Sequence, residues 1–181
     1  MEYDAATQGE ETMLDSKLEK ALNDQINKEL QAWYAYLSMA AFCDSMHLTG
    51  FAAFMDVQSR EEQMHANRLI RYVLDRGGRV DLLPISSPKD QYKNILDIFL
   101  SSLEQERAIT RAIYELYDLA KGLNDYATVA HLQWFLDEQV EEEKVMSDAV
   151  GLLKFAGDDK SALLSLNREF GARRSEGRGK D

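Results

Sequence analysis

Cysteine occurs once, at Cys43, so a disulfide framework within the chain is impossible. Proline occurs twice, at Pro84 and Pro88, and every other stretch of the 181 residues is free of the strongest helix breaker. Basic side chains are in deficit: 21 lysines and arginines stand against 32 aspartates and glutamates, a net charge of −11. That balance disfavours nucleic acid and anionic membrane surfaces as main partners, because both are held through basic patches. No apolar run approaches the roughly 20 residues that a membrane span needs. The opening segment, MEYDAATQGEET, lacks the basic and apolar regions of a secretory signal. A soluble, cytoplasmic protein is expected.

What the chain has in abundance is helical periodicity. One pattern runs from Asp15 to about Cys43, and residues 44–50 form a short break. A second helix continues to Arg76, where Gly77 and Gly78 supply a C-terminal stop. Residues 79–94 hold both prolines and read as a loop. A third helix covers about Asn94 to Lys121 and ends at Gly122. Asp125 is placed to cap a fourth, which reaches Ala156 before Gly157, and a shorter fifth spans Lys160 to Phe170. Residues 1–12 read as a flexible extension and the Gly-rich, basic residues 171–181 as a disordered tail, with one domain between them.

At 1.5 Å per residue each long helix measures roughly 40–48 Å. Short turns make the first and second helices antiparallel, and likewise the third and fourth. The loop at 79–94 can span about 50 Å when extended, the full length of such helices. The expected fold is therefore all-α: a four-helix bundle whose long crossover connection sets helices two and three parallel, with a short fifth helix.

Following each helix along its buried seam, in alternating steps of three and four, brings out the informative residues. Helix one reads Leu18, Leu22, Gln25, Glu29, Ala32, Tyr36, Met39, Cys43; helix two reads Phe51, Met55, Gln58, Glu62, His65, Leu69, Tyr72. Helix three reads Ile95, Phe99, Ser102, Glu106, Ile109, Ile113, Leu116. Helix four reads Leu132, Phe135 or Leu136, Gln139, Glu142, Met146, Ala149, Leu153. Every seam is apolar at both ends and carries a glutamate near its middle. A lone seam glutamate is commonly a snorkelling side chain. Four at one height cannot all escape to water, and burying them together requires shared protons or a neutralising cation. Four carboxylates with one imidazole, His65 lying one turn beyond Glu62, suit two divalent ions of the iron or manganese kind better than a structural zinc.

These residues resemble the non-haem ferritins of the prokaryotic type. The matching pieces are KELQAWYAY (Glu29, Tyr36), SREEQMHANRL (Glu61, Glu62, His65), LEQERAIT (Glu106) and LQWFLDEQVEEEK (Glu138 to Glu142), and the resemblance covers about residues 13–170. It implies a ferritin-like bundle in which Glu29, Glu62 and His65 hold one iron, with Glu62 bridging. Glu62, Glu106 and Glu142 hold a second, with Gln139 nearby. Glu61, Glu138, Glu141 and Glu142 match the third iron site of prokaryotic ferritins. Tyr36 beside the centre would donate a hydrogen bond or an electron, whereas Trp134 packs.

The activity so implied is ferroxidation: two Fe(II) ions pass electrons jointly to O2 or H2O2, and the ferric product is stored as mineral inside a hollow homo-oligomeric cage of 24 subunits. Glu29, Tyr36, Glu62, His65, Glu106 and Gln139 would carry the reaction. No haem is expected. The second reading of the same residues is a di-iron oxidase or peroxidase of this fold that does not store iron.

Overall fold

The computed structural model describes residues 14–172, in which five helices follow one another: α1 (Ser16–Ser45), α2 (Thr49–Asp75), α3 (Ile95–Gly122), α4 (Tyr126–Ala156) and α5 (Lys160–Ala172). The flexible extension expected at 1–12 and all but two residues of the tail expected at 171–181 lie outside the described residues; Gly171 and Ala172 close α5.

Local chemistry accounts for most of the helix ends. The Asp15, Asn94 and Asp125 side chains accept hydrogen bonds from the backbone N–H of Lys17, Asp97 and Thr128 and so cap α1, α3 and α4. Positive φ angles at His47 and Asn124 turn the chain between α1 and α2 and between α3 and α4. Gly50, expected in the break after α1, instead lies inside the first turn of α2. That helix has no capping side chain of its own. Asn167 of α5 supplies one from a distance, its Oδ1 accepting from the N–H groups of Gly50 and Phe51 at 3.0 Å each.

Four contacts set the helix directions. Tyr36 and Met39 of α1 meet Glu106 and Ser102 of α3 in reverse order, so this pair is antiparallel. Gln58 near the start of α2 meets Glu142 of α4, while Arg76 just past the end of α2 meets Asp125 before α4. With α1 antiparallel to both, α2 and α3 run in the same direction, as the long connection requires. That connection is laid along α1 by a ladder of amide side chains. Asn23 donates to Arg79 O and accepts from Asp81 N; Asn27 does the same with Asp81 O and Leu83 N; Gln31 does so with Ser86 O and N. The steps of four place all three amides on one face of α1, where they satisfy backbone that has no strand partner.

The interior is apolar at both ends and polar in the middle. One cluster gathers Met39, Cys43, Phe51, Met55, Phe99 and Phe170 at the end where α5 docks. The other gathers Leu18, Leu22, Ile26, Leu69, Ile113 and Leu132 at the opposite end. Between them lie the buried side chains of Gln25, Glu29, Gln58, Glu62, His65, Ser102, Glu106, Thr110, Gln139 and Glu142. On α4 the seam runs through Phe135, with Leu136 only partly buried.

Candidate metal centre

Each long helix contributes to the polar layer from the middle of its buried face. Among the described residues, Glu29, Glu62 and His65 offer three ligand atoms all within 4.8 Å of one another. His65 Nδ1 is 3.6 Å from Glu62 Oε2, too far for a hydrogen bond. Glu29 Oε2, both carboxylate oxygens of Glu62 and His65 Nδ1 are buried without a hydrogen-bond partner. Buried polar atoms are paired in nearly all proteins, so four unpartnered atoms on three neighbouring side chains fit metal ligands better than ordinary core residues. Gln25, one turn before Glu29, donates to Glu29 Oε1 at 2.7 Å and fixes that carboxylate.

Across the bundle, the Tyr36 hydroxyl donates to Glu106 Oε1. Gln139 Nε2 lies 3.4 Å from Glu106 Oε2 and 3.3 Å from the Thr110 hydroxyl. Glu106 is thus held by partners on two other helices. Glu142 is 6% exposed and accepts from Gln58 Nε2 at 3.0 Å. The same amide nitrogen donates to Glu61 Oε2 at 2.7 Å, so Gln58 joins the α2 and α4 carboxylates.

The electrostatics follow from burial. Desolvation, then the charges of Glu106 and Glu29, hold the Glu62 carboxyl well above the usual range. Burial likewise raises Glu29, and Glu142 well above its ordinary value with help from Glu106 and Glu61. Glu106 is pushed up to about 7 by burial, against the Tyr36 and Gln139 hydrogen bonds that favour its ionised form. Burial and the charge of Arg68 bring His65 down to about 4. The imidazole is therefore neutral near pH 7, with a lone pair free for a metal. Carboxylate oxygens with one imidazole nitrogen, in a layer that favours protonated carboxyls until a cation neutralises them, fit a divalent transition metal.

The outer carboxylates are graded by exposure. Glu61 is partly buried and raised to about 7 by burial and by Glu138. Glu138 is partly buried and raised in turn, by burial and then Glu141. Glu141 itself is exposed. Trp134 packs as expected: its ring meets that of His65 edge-on at 5.4 Å between centroids, and the Arg68 guanidinium lies 4.1 Å above it. Gln25, Gln58 and Thr110 serve the carboxylates without having been assigned that role from sequence. For the two glutamines the available signal was a polar residue one turn before a seam glutamate.

The profile of the ferritin-like domain family matches residues 19–156. The chain is 44% identical over 161 residues to a bacterial non-heme ferritin of Staphylococcus aureus (strain USA300), an alignment covering 89% of this chain and 97% of that protein. A bacterial non-heme ferritin of Staphylococcus haemolyticus (strain JCSC1435) is 42% identical over the same length and coverage. Among solved structures, an open pore ferritin from the archaeon Archaeoglobus fulgidus superposes with a TM-score of 0.87 at 42% identity, covering 88% of this chain and 97% of that one. A humanized archaeal ferritin superposes with a TM-score of 0.86 at 42% identity, covering 87% and 96%.

Proposed function

The chain belongs to the ferritin family as a prokaryotic non-haem ferritin, and from that footing we propose that it oxidises Fe(II) at the polar layer of its bundle and stores the ferric product. The observation that carries this reading is the set of four orphaned, buried atoms on Glu29, Glu62 and His65. Iron is the substrate. Glu29, Glu62 and His65 would take one Fe(II). Glu62, facing Glu106 across the bundle, would serve a second together with Glu106 and Glu142, with Gln139 beside them. Two ferrous ions side by side release two electrons together, so O2 is reduced to H2O2 without superoxide escaping; H2O2 as oxidant would go on to water.

The protein's part is to position and to hold protons. Gln25 fixes Glu29, and the Tyr36 hydroxyl keeps its proton directed at one oxygen of Glu106, so that metal would be taken by the other, which only the long Gln139 contact holds. Several carboxylates gathered around the metal stabilise the higher charge of Fe(III), which drives the oxidation forward. Glu61, Glu138, Glu141 and Glu142 form the third iron site of the proposal, with Gln58 linking its inner half to the centre. The family makes the protein a homo-oligomer; a closed cage of 24 subunits in the cytoplasm is the form proposed. Among the described residues no helix is long and apolar enough to cross a membrane.

An aerobic Fe(II) titration of the metal-free protein, following near-ultraviolet absorbance with oxygen consumption, tests the proposal. A fast phase saturating near about two or three irons per chain, then slower uptake that stays soluble, is the expected result. No rate above protein-free buffer would refute it. The non-storing oxidase would show the fast phase alone, and membership of the ferritin family argues against it.

A further inference from the structure

Between α2 and α4 lies a groove of about 440 Å³ lined by Met64, Asn67, Arg68, Arg71, Tyr72, Asp75 and His131. We propose that this groove is an oxyanion site in which the guanidinium groups of Arg68 and Arg71, with the Asn67 amide, bind inorganic phosphate. The arginines of this region divide into two kinds. Arg60 pairs with Asp56 at 2.6 Å, Arg76 with Asp125 at 2.9 Å and Arg79 with Asp81 at 3.3 Å. Arg68 and Arg71 have no carboxylate within 4.0 Å among the described residues, although the chain carries a net charge of −11. Two unpaired guanidinium groups one helical turn apart on one groove wall are a local reversal of the protein's charge.

An exposed arginine is ordinarily a solvated one. Arg68 differs because its guanidinium is fixed 4.1 Å above the Trp134 ring, which lowers the ordering cost of binding. The contact that closes the groove between α2 and α4 is also rigid. His131 stacks on Tyr72 with centroids 3.9 Å apart, and the Tyr72 hydroxyl bonds to Thr128 and Arg76. Planar guanidinium forks match the paired oxygens of phosphate, and Asn67 adds amide donors. Asp75 at the rim and Glu138, close enough to feel the charge of Arg68, are the competing carboxylates. Neither forms an ion pair with the two arginines, so the anion has no internal rival in contact.

The test does not involve iron: it uses the metal-free, full-length protein in its native oligomeric state. Titration calorimetry with inorganic phosphate at low ionic strength in chloride buffer should show saturable binding near one per chain. Arg68→Gln and Arg71→Gln should each weaken it by about tenfold, and Arg60→Gln should leave it unchanged. Arg71→Gln touches a side chain with no ion pair or hydrogen bond in the described structure, so it keeps the test available should Arg68→Gln fail to fold. Absence of saturable binding overturns the proposal, as does equal binding by Arg71→Gln and the parent, which would reduce the effect to non-specific ion screening. Fe(II) oxidation fails or survives separately and does not bear on this result.

Discussion

Glu62 and Glu141 are both acidic residues of the same neighbourhood, yet one is 1% exposed with two orphaned oxygens and the other lies in water. Replacing Glu62 with Ala should slow Fe(II) oxidation by about tenfold or more, whereas Glu141→Ala should change the initial rate little. Stopped-flow absorbance measures both, and equal rates would show that Glu62 does not bridge the metals. A second residue-scale consequence concerns pH. Glu106 and Glu61 have folded pKa values raised to about 7 from an ordinary 4.5, so the folded chain binds more protons than the unfolded chain between those values. Stability from these groups is complete below about 4.5 and is lost as pH rises through about 7. The metal-free protein should therefore melt at a lower temperature at pH 7.5 than at pH 5. Saturation with a redox-inert divalent ion should remove much of that difference. His65, lowered from 6.5 to about 4, acts with the opposite sign as pH falls below about 6.5 and offsets part of that difference, whereas Asp125, held below the usual carboxylate range by Arg76, weakens the fold only in stronger acid.

At the scale of elements, α5 and the crossover are tied to the bundle by backbone chemistry that a helical wheel does not display. A Cβ at Gly50 would stand 1.7 Å from the carbonyl oxygen of Asn167, so Gly50→Ala has to displace α5. In an exposed helix the same change would stabilise by about 1 kcal/mol. Here it should destabilise by about 1–3 kcal/mol, because the clash is with backbone and Asn167 loses its grip on the α2 terminus. Calorimetric melting decides the sign; a higher Tm would show that α5 does not pack against Gly50. The crossover offers a parallel case. Asn27→Ala removes two hydrogen bonds to the loop, at Asp81 O and Leu83 N, and should cost about 1–2 kcal/mol while leaving Fe(II) oxidation intact.

For the whole molecule, the apolar surface is the informative feature. Phe155 is 94% exposed, Tyr126 76%, Leu82 62% and Leu83 59%, more apolar surface than an isolated small domain leaves in water. Burial between subunits would account for it. Leu83→Glu should shift the assembly to smaller species in sedimentation velocity, with the helical content of each chain preserved. An unchanged sedimentation profile would show that this loop faces solvent in the oligomer.

The seams were legible because helical periodicity is a local property. Gln25, Glu29, Glu62, His65, Glu106, Gln139 and Glu142 all read onto buried faces from sequence, and all are buried. The one ambiguous step, Phe135 or Leu136, stayed open since adjacent residues differ by only 100° around a helix and both are apolar. Asn23, Asn27, Gln31 and Asn167 lie off the four seams, and nothing in the sequence singles them out. Their partners are backbone groups more than 50 residues away, and no spacing within one helix encodes those.

The sequence by itself determined most of the helix ends, the start of α2 excepted, which face of each helix is buried, and where along each helix its carboxylate sits. Those follow from caps, breakers and a repeat of 3.6 residues, all contained within a few turns. Only the tertiary structure decided which of those carboxylates meet. The relative rotation and height of four helices set Glu29, Glu62 and His65 within 4.8 Å. They also gave Glu106 to Tyr36, joined Glu61 and Glu142 through one amide of Gln58, and left Glu141 in water. Such distances depend on packing between helices far apart in the chain, where one residue's rotation moves a ligand atom by several ångströms.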